Sequence, residues 1–189
     1  MLLGDHDYPP LLAAIPKPPL VLMLSGASKH LDLPQIAVVG SRRATSGGRD
    51  NAFALSRELA ASGLAITSGL ASGIDAAAHR GALAAGGVTL AVFGCGLKHV
   101  YPPTHRELAD EVRASGALVS EFPLEARPTR YSFPRRNRVI SGLALGTLVV
   151  EAAITSGSLI TAMQALEQGR EVFAVPGSTR NPLSQGCHA

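Results

Sequence analysis

The chain has 189 residues and a mass of 19.5 kDa, and 46% of its residues are hydrophobic, which is enough for one α/β domain with a continuous core. Aromatic residues make up only 4% and tryptophan is absent, so we expect an aliphatic core. The net charge of +3 does not separate a nucleic-acid-binding protein from many metabolic enzymes, and the widely separated Cys95 and Cys187 argue against a disulfide framework or a Cys-x-x-Cys zinc or redox site.

Residues 1–33 are predicted to be a proline-rich lead-in strand or linker. Pro9-Pro10, Pro16 and Pro18-Pro19 interrupt helices and leave one short apolar stretch, residues 20–24. The N-terminus has no basic segment followed by a long apolar run, and no apolar stretch approaches about 20 residues. We therefore expect a soluble, cytoplasmic protein with no membrane partner.

Residues 34–189 alternate short aliphatic runs with alanine-rich segments, which is the pattern of repeated βα units. The aliphatic runs are nearly continuous, as is typical of parallel strands buried on both faces. We predict a doubly wound, mostly parallel Rossmann-like α/β sheet with helices on both faces. The expected strands are 36–40, 64–67, 89–93, 117–120, 146–150 and 171–175, and the expected helices are 49–62, 75–85, a segment ending near 115, 136–143 and 158–168.

Loops rich in Gly and Ser follow four of the predicted strands, at residues 40–42, 68–73, 94–96 and 156–158. The carboxyl ends of parallel strands share one edge of a sheet, so these loops should lie near one another. Small residues let backbone N–H groups approach an anion, and the dipole of the next helix favours negative charge. We interpret the loops as a groove that follows phosphate groups; the alternative is that each only makes a tight turn. Neither G-x-G-x-x-G nor the P-loop motif occurs, so no nucleotide cofactor is expected.

Arginine dominates the basic residues, and its most distinctive cluster lies in the segment 131–138. This segment places aromatic rings beside arginines and an amide, a combination that stacks unpaired bases and neutralises their backbone. Arg42 follows the first strand, where it can bind a phosphate held by the backbone of Ser41. The alternative is that the arginines pair with acids at strand ends. The candidate nucleic-acid-binding residues are Ser41, Arg42, Gly69, Phe133, Arg135, Arg136, Asn137, Arg138, Ser156, Gly157 and Ser158.

Catalytic and metal-binding roles have little support. Asp75 and His79 are four residues apart on one predicted helix, but no third ligand accompanies them, and we expect them to brace the loop at residue 68. No serine lies in a G-x-S-x-G motif. Glu121 and Glu151 are expected to orient arginines. We predict no catalytic residues, no metal and no cofactor.

Seven short motifs follow one another along most of the chain: Tyr8-Pro9-Pro10-Leu11-Leu12, Gly40-Ser41-Arg42, Ser68-Gly69-Leu-Ala-x-Gly73-Ile74-Asp75, Ser120-Glu121-x-Pro123, Phe133-Pro134-x-Arg136-Asn137-Arg138, Ser156-Gly157-Ser158 and Val175-Pro176-Gly177. In this order they resemble the DNA-processing protein A family (DprA, also called Smf). The resemblance implies non-sequence-specific binding of single-stranded DNA in natural transformation and homologous recombination, loading of the RecA recombinase, and a homodimer in the full-length protein. It also implies that Arg42 and the segment 133–138 contact DNA, with Gly69 and Ser158 lining the same groove.

The chain departs from the family pattern at its C-terminus, and we expect a C-terminally truncated core domain in which dimerisation is in doubt. One alternative is a Rossmann-like nucleotide-binding enzyme such as a nucleoside-monophosphate phosphoribohydrolase. Those enzymes hold a phosphate with a P-G-G-x-G-T loop, whereas residues 151–158 lack the paired glycines. Another alternative, a scaffold that binds only proteins, leaves the segment 133–138 unexplained.

Overall fold

The computed structural model describes residues 1–189, and seven strands form one sheet. The strands are β1 (Met23–Gly26), β2 (Gln35–Val39), β3 (Ala65–Ser68), β4 (Thr89–Val92), β5 (Ala117–Ser120), β6 (Gly146–Val149) and β7 (Glu171–Ala174). The helices are α1 (Pro10–Ala13), α2 (Ser46–Ala61), α3 (Ile74–Ala84), α4 (Arg106–Ser115), α5 (Ser132–Leu143), α6 (Gly157–Glu167) and α7 (Gln185–His188). Short 3-10 turns span Ser28–Asp32 and Pro103–His105.

The strand order is β1-β5-β4-β3-β2-β6-β7, and only β1 runs antiparallel to its neighbour. Chain order reverses at β2, which has β3 on one side and β6 on the other. In doubly wound sheets a crevice opens at the carboxyl ends of the strands beside such a reversal. The predicted doubly wound, mostly parallel α/β sheet is confirmed.

Helices cover both faces of the sheet with aliphatic contacts. On one face, α1, α5 and α6 pack in the largest core cluster, to which Leu12, Ile140 and Ala162 contribute. On the other face, α2, α3 and α4 pack in two smaller clusters, to which Ile74 and Leu108 contribute. The strands β3, β4 and β5 are buried along their whole length, as their continuous apolar sequence predicts.

The ends of the helices are set by local chemistry. At the start of α2 the side chain of Thr45 accepts a hydrogen bond from the N–H of Gly48 at 3.0 Å, and Ser156 caps α6 in the same way. Helix α3 follows Gly73, whose φ is +81°, and a Cβ there would lie 2.2 Å from the Ser41 carbonyl oxygen. Glycine therefore allows the loop after β2 and the start of α3 to meet.

The predicted strands and longer helices agree with the observed ones within a few residues. The short helices α1 and α7 were not predicted, and two other elements differ. Helix α5 begins at Ser132 rather than near residue 136, so Phe133 and Pro134 lie in its first turn. The segment predicted as a lead-in strand or linker supplies the edge strand β1, which pairs with β5, and its Leu22 is buried in the core. No helix is long and apolar enough to cross a membrane.

A candidate nucleic-acid interface at the carboxyl edge of the sheet

A cleft opens at the edge of the sheet where the Gly/Ser loops after β2 and β6 lie. It has a volume of about 930 Å³ and lies at the carboxyl end of β2, between the first turns of α5 and α6. Helix α5 presents Phe133, Arg136, Asn137 and Ile140 to this main cleft. This spacing of three, four and seven residues defines one face of a helix. These four side chains are therefore positioned by one rigid helix.

One wall of the main cleft combines a cation with aromatic rings. The guanidinium carbon of Arg42 lies 5.3 Å from the centre of the Phe133 ring, and the ring of Tyr101 lies 5.2 Å from it at an interplanar angle of 42°. Phe133 packs against Gly94, where a Cβ would be 2.7 Å from the ring. Arg42 and Tyr101 are exposed, and Arg42 contacts the ring rather than an acid. The wall thus offers a base-stacking surface beside an exposed positive charge.

Arg136 forms the floor of the main cleft and is only 4% exposed. Its Nη1 donates hydrogen bonds to the carbonyl oxygens of Gly69, at 2.9 Å, and of Val92. A Cβ at Gly69 would lie 2.6 Å from Nη1, so a larger residue there would force the guanidinium to shift. Burial lowers the pKa of Arg136 to about 10, which leaves the guanidinium charged at neutral pH. Arg136 therefore supplies a fixed positive charge beneath the cleft.

The start of α6 forms the opposite wall. The hydroxyl groups of Ser156 and Ser158 are 2.7 Å apart, and Ser156 Oγ also accepts from the N–H of Ser158 at 3.3 Å. Asn137 Nδ2 donates to the carbonyl oxygen of Gly157 at 3.3 Å, which joins α5 to α6 across the cleft. The positive end of the α6 dipole favours an anion at this wall.

Asp75 lies below the cleft and organises the loop after β3. Its Oδ2 accepts hydrogen bonds from the N–H groups of Gly69, at 3.1 Å, and Ala71, at 3.3 Å. Burial raises the pKa of Asp75, and the charge of Arg136 opposes this rise. The carboxylate and the guanidinium therefore stabilise each other's charged form within the same loop.

His79 does not share this role with Asp75. It is fully buried, and its Nδ1 lies 2.7 Å from the Thr89 hydroxyl, which donates to the Ile66 carbonyl oxygen at 2.7 Å. The prediction that His79 braces the loop at residue 68 is therefore wrong, because its ring is turned toward β4. No group of three or more His, Cys, Asp or Glu side chains in the chain is arranged to hold a metal ion.

Arg135 and Arg138 are not brought to the main cleft. Both contact Glu121, with Arg135 Nη2 at 3.3 Å from Oε2 and Arg138 Nη2 closer to the same oxygen. The two arginines share one helix face, as their spacing predicts, but this face lies on the opposite flank of α5. The sequence left open whether the arginines bind nucleic acid or pair with acids at strand ends. Arg135 and Arg138 pair with such an acid, Glu121.

Four expectations about the loops differ from the structure. Gly69, predicted to line the groove, is buried against Arg136 and does not line the main cleft. The N–H of Ser41 donates to the Glu151 carbonyl oxygen at 2.6 Å, so it is not free to hold a phosphate. The Glu151 carboxylate accepts from the backbone N–H of Thr45 at 2.8 Å and from its hydroxyl at 3.0 Å, and it orients no arginine. The loop 94–96 packs beneath Phe133 and against the backbone at residues 123–124 instead of lining the cleft.

Sequence reasoning missed several cleft residues, among them Arg43, Tyr101 and Arg130. Tyr101 lies in the connection after β4, at the carboxyl edge of the sheet. Its position in the sequence was therefore enough to predict an aromatic side chain near the cleft. Arg130 and Arg43 flank the residues that were selected. Arg43, Tyr101 and Arg130 are far apart in the sequence, so the sequence alone does not show that they line the same cleft.

The fold and the site define a doubly wound α/β protein whose carboxyl-edge cleft joins cationic, aromatic and helix N-terminal groups. Across residues 1–189 the chain matches the family model described as DNA recombination-mediator protein A, and it belongs to this family. The resemblance inferred from its motifs is thereby confirmed.

Several curated relatives match this chain over most of its length. Protein Smf of Escherichia coli strain K12 is 52% identical over 182 residues, covering 96% of this chain and 49% of its own length. DNA processing protein DprA of Bacillus subtilis strain 168 is 44% identical over 185 residues, covering 97% of this chain and 62% of its own length. The chain thus spans about half to two thirds of the length of these curated relatives.

Solved structures agree with this assignment. DNA processing protein A from Streptococcus pneumoniae superposes with a TM-score of 0.96 at 42% identity, covering 100% of this chain and 66% of that one. A structure describing the single-stranded DNA binding mode of DNA processing protein A from Helicobacter pylori gives a TM-score of 0.86 at 30% identity, covering 92% of this chain and 80% of that one. A molybdenum cofactor binding protein from Rippkaea orientalis, with a TM-score of 0.60 at 22% identity, shares the fold.

Proposed function

We propose that the main cleft binds single-stranded DNA without reading its sequence. The observation that carries this proposal is the wall in which exposed Arg42 lies over the half-buried ring of Phe133, with Tyr101 beside it. An aromatic face accepts any unpaired base, and an arginine beside it neutralises the adjoining phosphate. In a duplex the bases are already stacked on one another, so this wall favours single strands.

The electrostatics of the cleft support the same proposal. Arg42, Arg43 and Arg130 are exposed at its rim, and Arg136 adds a buried charge at its floor. The N-terminus of α6 faces these cations from the other side. These four arginines outnumber Asp75, the one acid that lines the main cleft, so a polyanionic strand would meet a net positive charge there. The relatives named for DNA processing and the Helicobacter pylori protein described as binding single-stranded DNA are consistent with this assignment.

We further propose that this chain takes part in DNA uptake by natural transformation and in homologous recombination. There the bound strand would be passed to the RecA recombinase, and the full-length protein would act as a homodimer. Binding to phosphates and base faces suits this role, because it leaves the identity of the bases unread.

The same site is proposed to bind DNA rather than to cleave a bond. The hydroxyl groups of Ser156 and Ser158 bond to each other, and the Asp75 carboxylate is engaged by two backbone N–H groups. His79, the nearest imidazole in sequence to Asp75, is buried against Thr89. No nucleophile in the cleft is therefore paired with a general base in the arrangement that covalent catalysis needs.

Fluorescence anisotropy with labelled oligo-dT tests this proposal. We expect affinity to fall as salt rises, with a slope of log Kd against log salt of about 0.7 for each neutralised phosphate. Arg42→Ala should weaken binding severalfold and lower this slope by about 0.7. The matched control is Arg113→Ala, which removes one positive charge from α4, outside the main cleft.

Three results would contradict the proposal: no binding of oligo-dT, equal loss in the Arg42→Ala and Arg113→Ala variants, or stronger binding of duplex than of single strands. Release of adenine from AMP by the purified chain would favour the nucleotide-hydrolase alternative instead.

A further inference from the structure

A second cleft, of about 680 Å³, lies on the flank of α5 that faces away from the main cleft. Helix α5 contributes Arg135 and Arg138 to it, and the segment before β1 contributes Lys17 and Leu20. None of these residues lines the main cleft. The two clefts are therefore separate sites joined by the first turn of one helix.

The charge of the second cleft is positive. The side chain of Arg135 is 64% exposed, and Lys17 is exposed and forms no salt bridge. The one acid in the cleft, Glu121, has a side chain that is 4% exposed and is held by both arginines. Its charge is offset by Arg138, which leaves Lys17 and Arg135 as excess cations. An anionic ligand would meet two exposed positive charges here.

The hydrogen-bonding capacity of the second cleft is not filled. Three buried atoms of residues that line it lack a hydrogen-bond partner: the donor Arg138 Nη1 and the acceptors Glu121 Oε1 and Gln164 Oε1. Nη2 of the same Arg138 guanidinium binds Glu121. A buried donor that lacks a partner costs free energy, and such groups are uncommon in native proteins. An oxygen-rich ligand such as a phosphodiester would supply an acceptor for Arg138 Nη1, and water can serve the two acceptor atoms.

The position of the second cleft indicates which anion fits it. Residues 133, 136 and 137 face the main cleft and residues 135 and 138 face the second, so the two clefts lie on different faces of the same stretch of α5. Tyr131, the residue before α5, is 70% exposed, and the guanidinium carbon of Arg130, which lines the main cleft, lies 4.7 Å from the centre of the Tyr131 ring. An exposed aromatic ring with an arginine over it offers the same stacking surface as the wall of the main cleft.

We propose that the second cleft binds the continuation of the same single-stranded DNA, which leaves the main cleft, passes Tyr131 at the N-terminal end of α5 and places phosphates against Arg135 and Lys17. This inference rests on the proposed function of the main cleft. In this proposal the arginine-rich segment 131–138 has two roles. One face of α5 contacts the part of the strand in the main cleft, and another face contacts the part in the second cleft.

The test compares short and long strands by fluorescence anisotropy, using oligo-dT of about 5 nucleotides, which the main cleft can hold, and of about 20 nucleotides, which can reach both clefts. The variants are Lys17→Ala and the double variant Lys17→Ala/Arg135→Ala. The matched control is Arg57→Ala/Arg113→Ala, which removes two charges that lie outside both clefts. Circular dichroism confirms that each variant is folded, and Lys17→Ala, which breaks no ion pair, remains informative if the double variant is unstable.

We expect the wild-type chain to bind the long strand more tightly than the short one. The double variant should lose about tenfold in affinity for the long strand and lower its salt slope by about 1.4, while its affinity for the short strand stays within about twofold of wild type. Lys17→Ala alone should give about half of that change in slope.

Equal losses for both lengths, no loss at either length, or a loss matched by the control variant would overturn the proposal. Failure of the proposed function looks different, because the wild-type chain would then not bind the short strand and Arg42→Ala would change nothing.

Discussion

Replacing Arg136 by methionine tests the role that the structure gives to this arginine. The side chain is buried, and its Nη1 donates to two carbonyl oxygens, those of Gly69 and Val92. Methionine fills a similar volume but donates no hydrogen bond, so both carbonyl oxygens lose their charged donor. Asp75 also loses the cation that favours its ionised form.

The magnitude follows from these losses. A hydrogen bond from a charged group contributes about 1.5–3 kcal/mol, and removal of one member of a buried charge pair costs about 3–5 kcal/mol. Because these terms overlap, we expect Arg136→Met to lower the free energy of unfolding by about 3–5 kcal/mol. For a chain of this length, that corresponds to a fall in Tm of about 6–20 °C.

Urea denaturation followed by circular dichroism measures this change. Arg135→Met is the matched control, because it makes the same substitution at the next residue, where the side chain is 64% exposed. We expect the control to lose at most about 1 kcal/mol. If Arg136→Met is as stable as its control, Arg136 does not organise the floor of the cleft and the reasoning fails.

Two further predictions concern the same region. Gly69→Ala should cost about 1–3 kcal/mol in urea denaturation, because its Cβ would lie 2.6 Å from Arg136 Nη1; unchanged stability would refute the close packing. Burial lowers the pKa of His79 to about 3 from 6.5, so its contribution to stability is present above pH 6.5 and is lost as pH falls toward 3. The stability difference between wild type and His79→Gln should shrink by up to about 1.4 kcal/mol per pH unit across that window, and a constant difference would contradict the buried neutral imidazole.

Much of the fold could be predicted because each buried strand is an uninterrupted aliphatic run and each turn to a helix is marked by small residues. The pairing of β1 with β5 could not be predicted in this way. It joins residues 23–26 to residues 117–120, and only tertiary packing decides whether an apolar stretch after several prolines adds to the sheet edge. The early start of α5 has a related cause, since Pro134 is tolerated in a first helical turn, where its missing N–H is not needed.

The candidate site could also be predicted only in part. The topological rule for parallel sheets places Arg42, Phe133 and Ser156 at one edge, and the structure brings them to one cleft. Helical spacing correctly groups Arg135 with Arg138, but it does not say which face of α5 meets the cleft. The burial of Arg136 depends on the absence of a side chain at Gly69, 67 residues earlier, and such a long-range steric condition has no local signature.

The central claim is that the wall formed by Arg42, Phe133 and Tyr101 holds an unpaired strand. Photo-crosslinking of the chain to single-stranded oligo-dT that carries 5-iodouracil, followed by peptide mapping with mass spectrometry, locates the bound bases directly. The account predicts crosslinks at Phe133 or Tyr101, with fewer when Arg42 is replaced by alanine. Crosslinks confined to residues outside the cleft, such as those of α4, would contradict it.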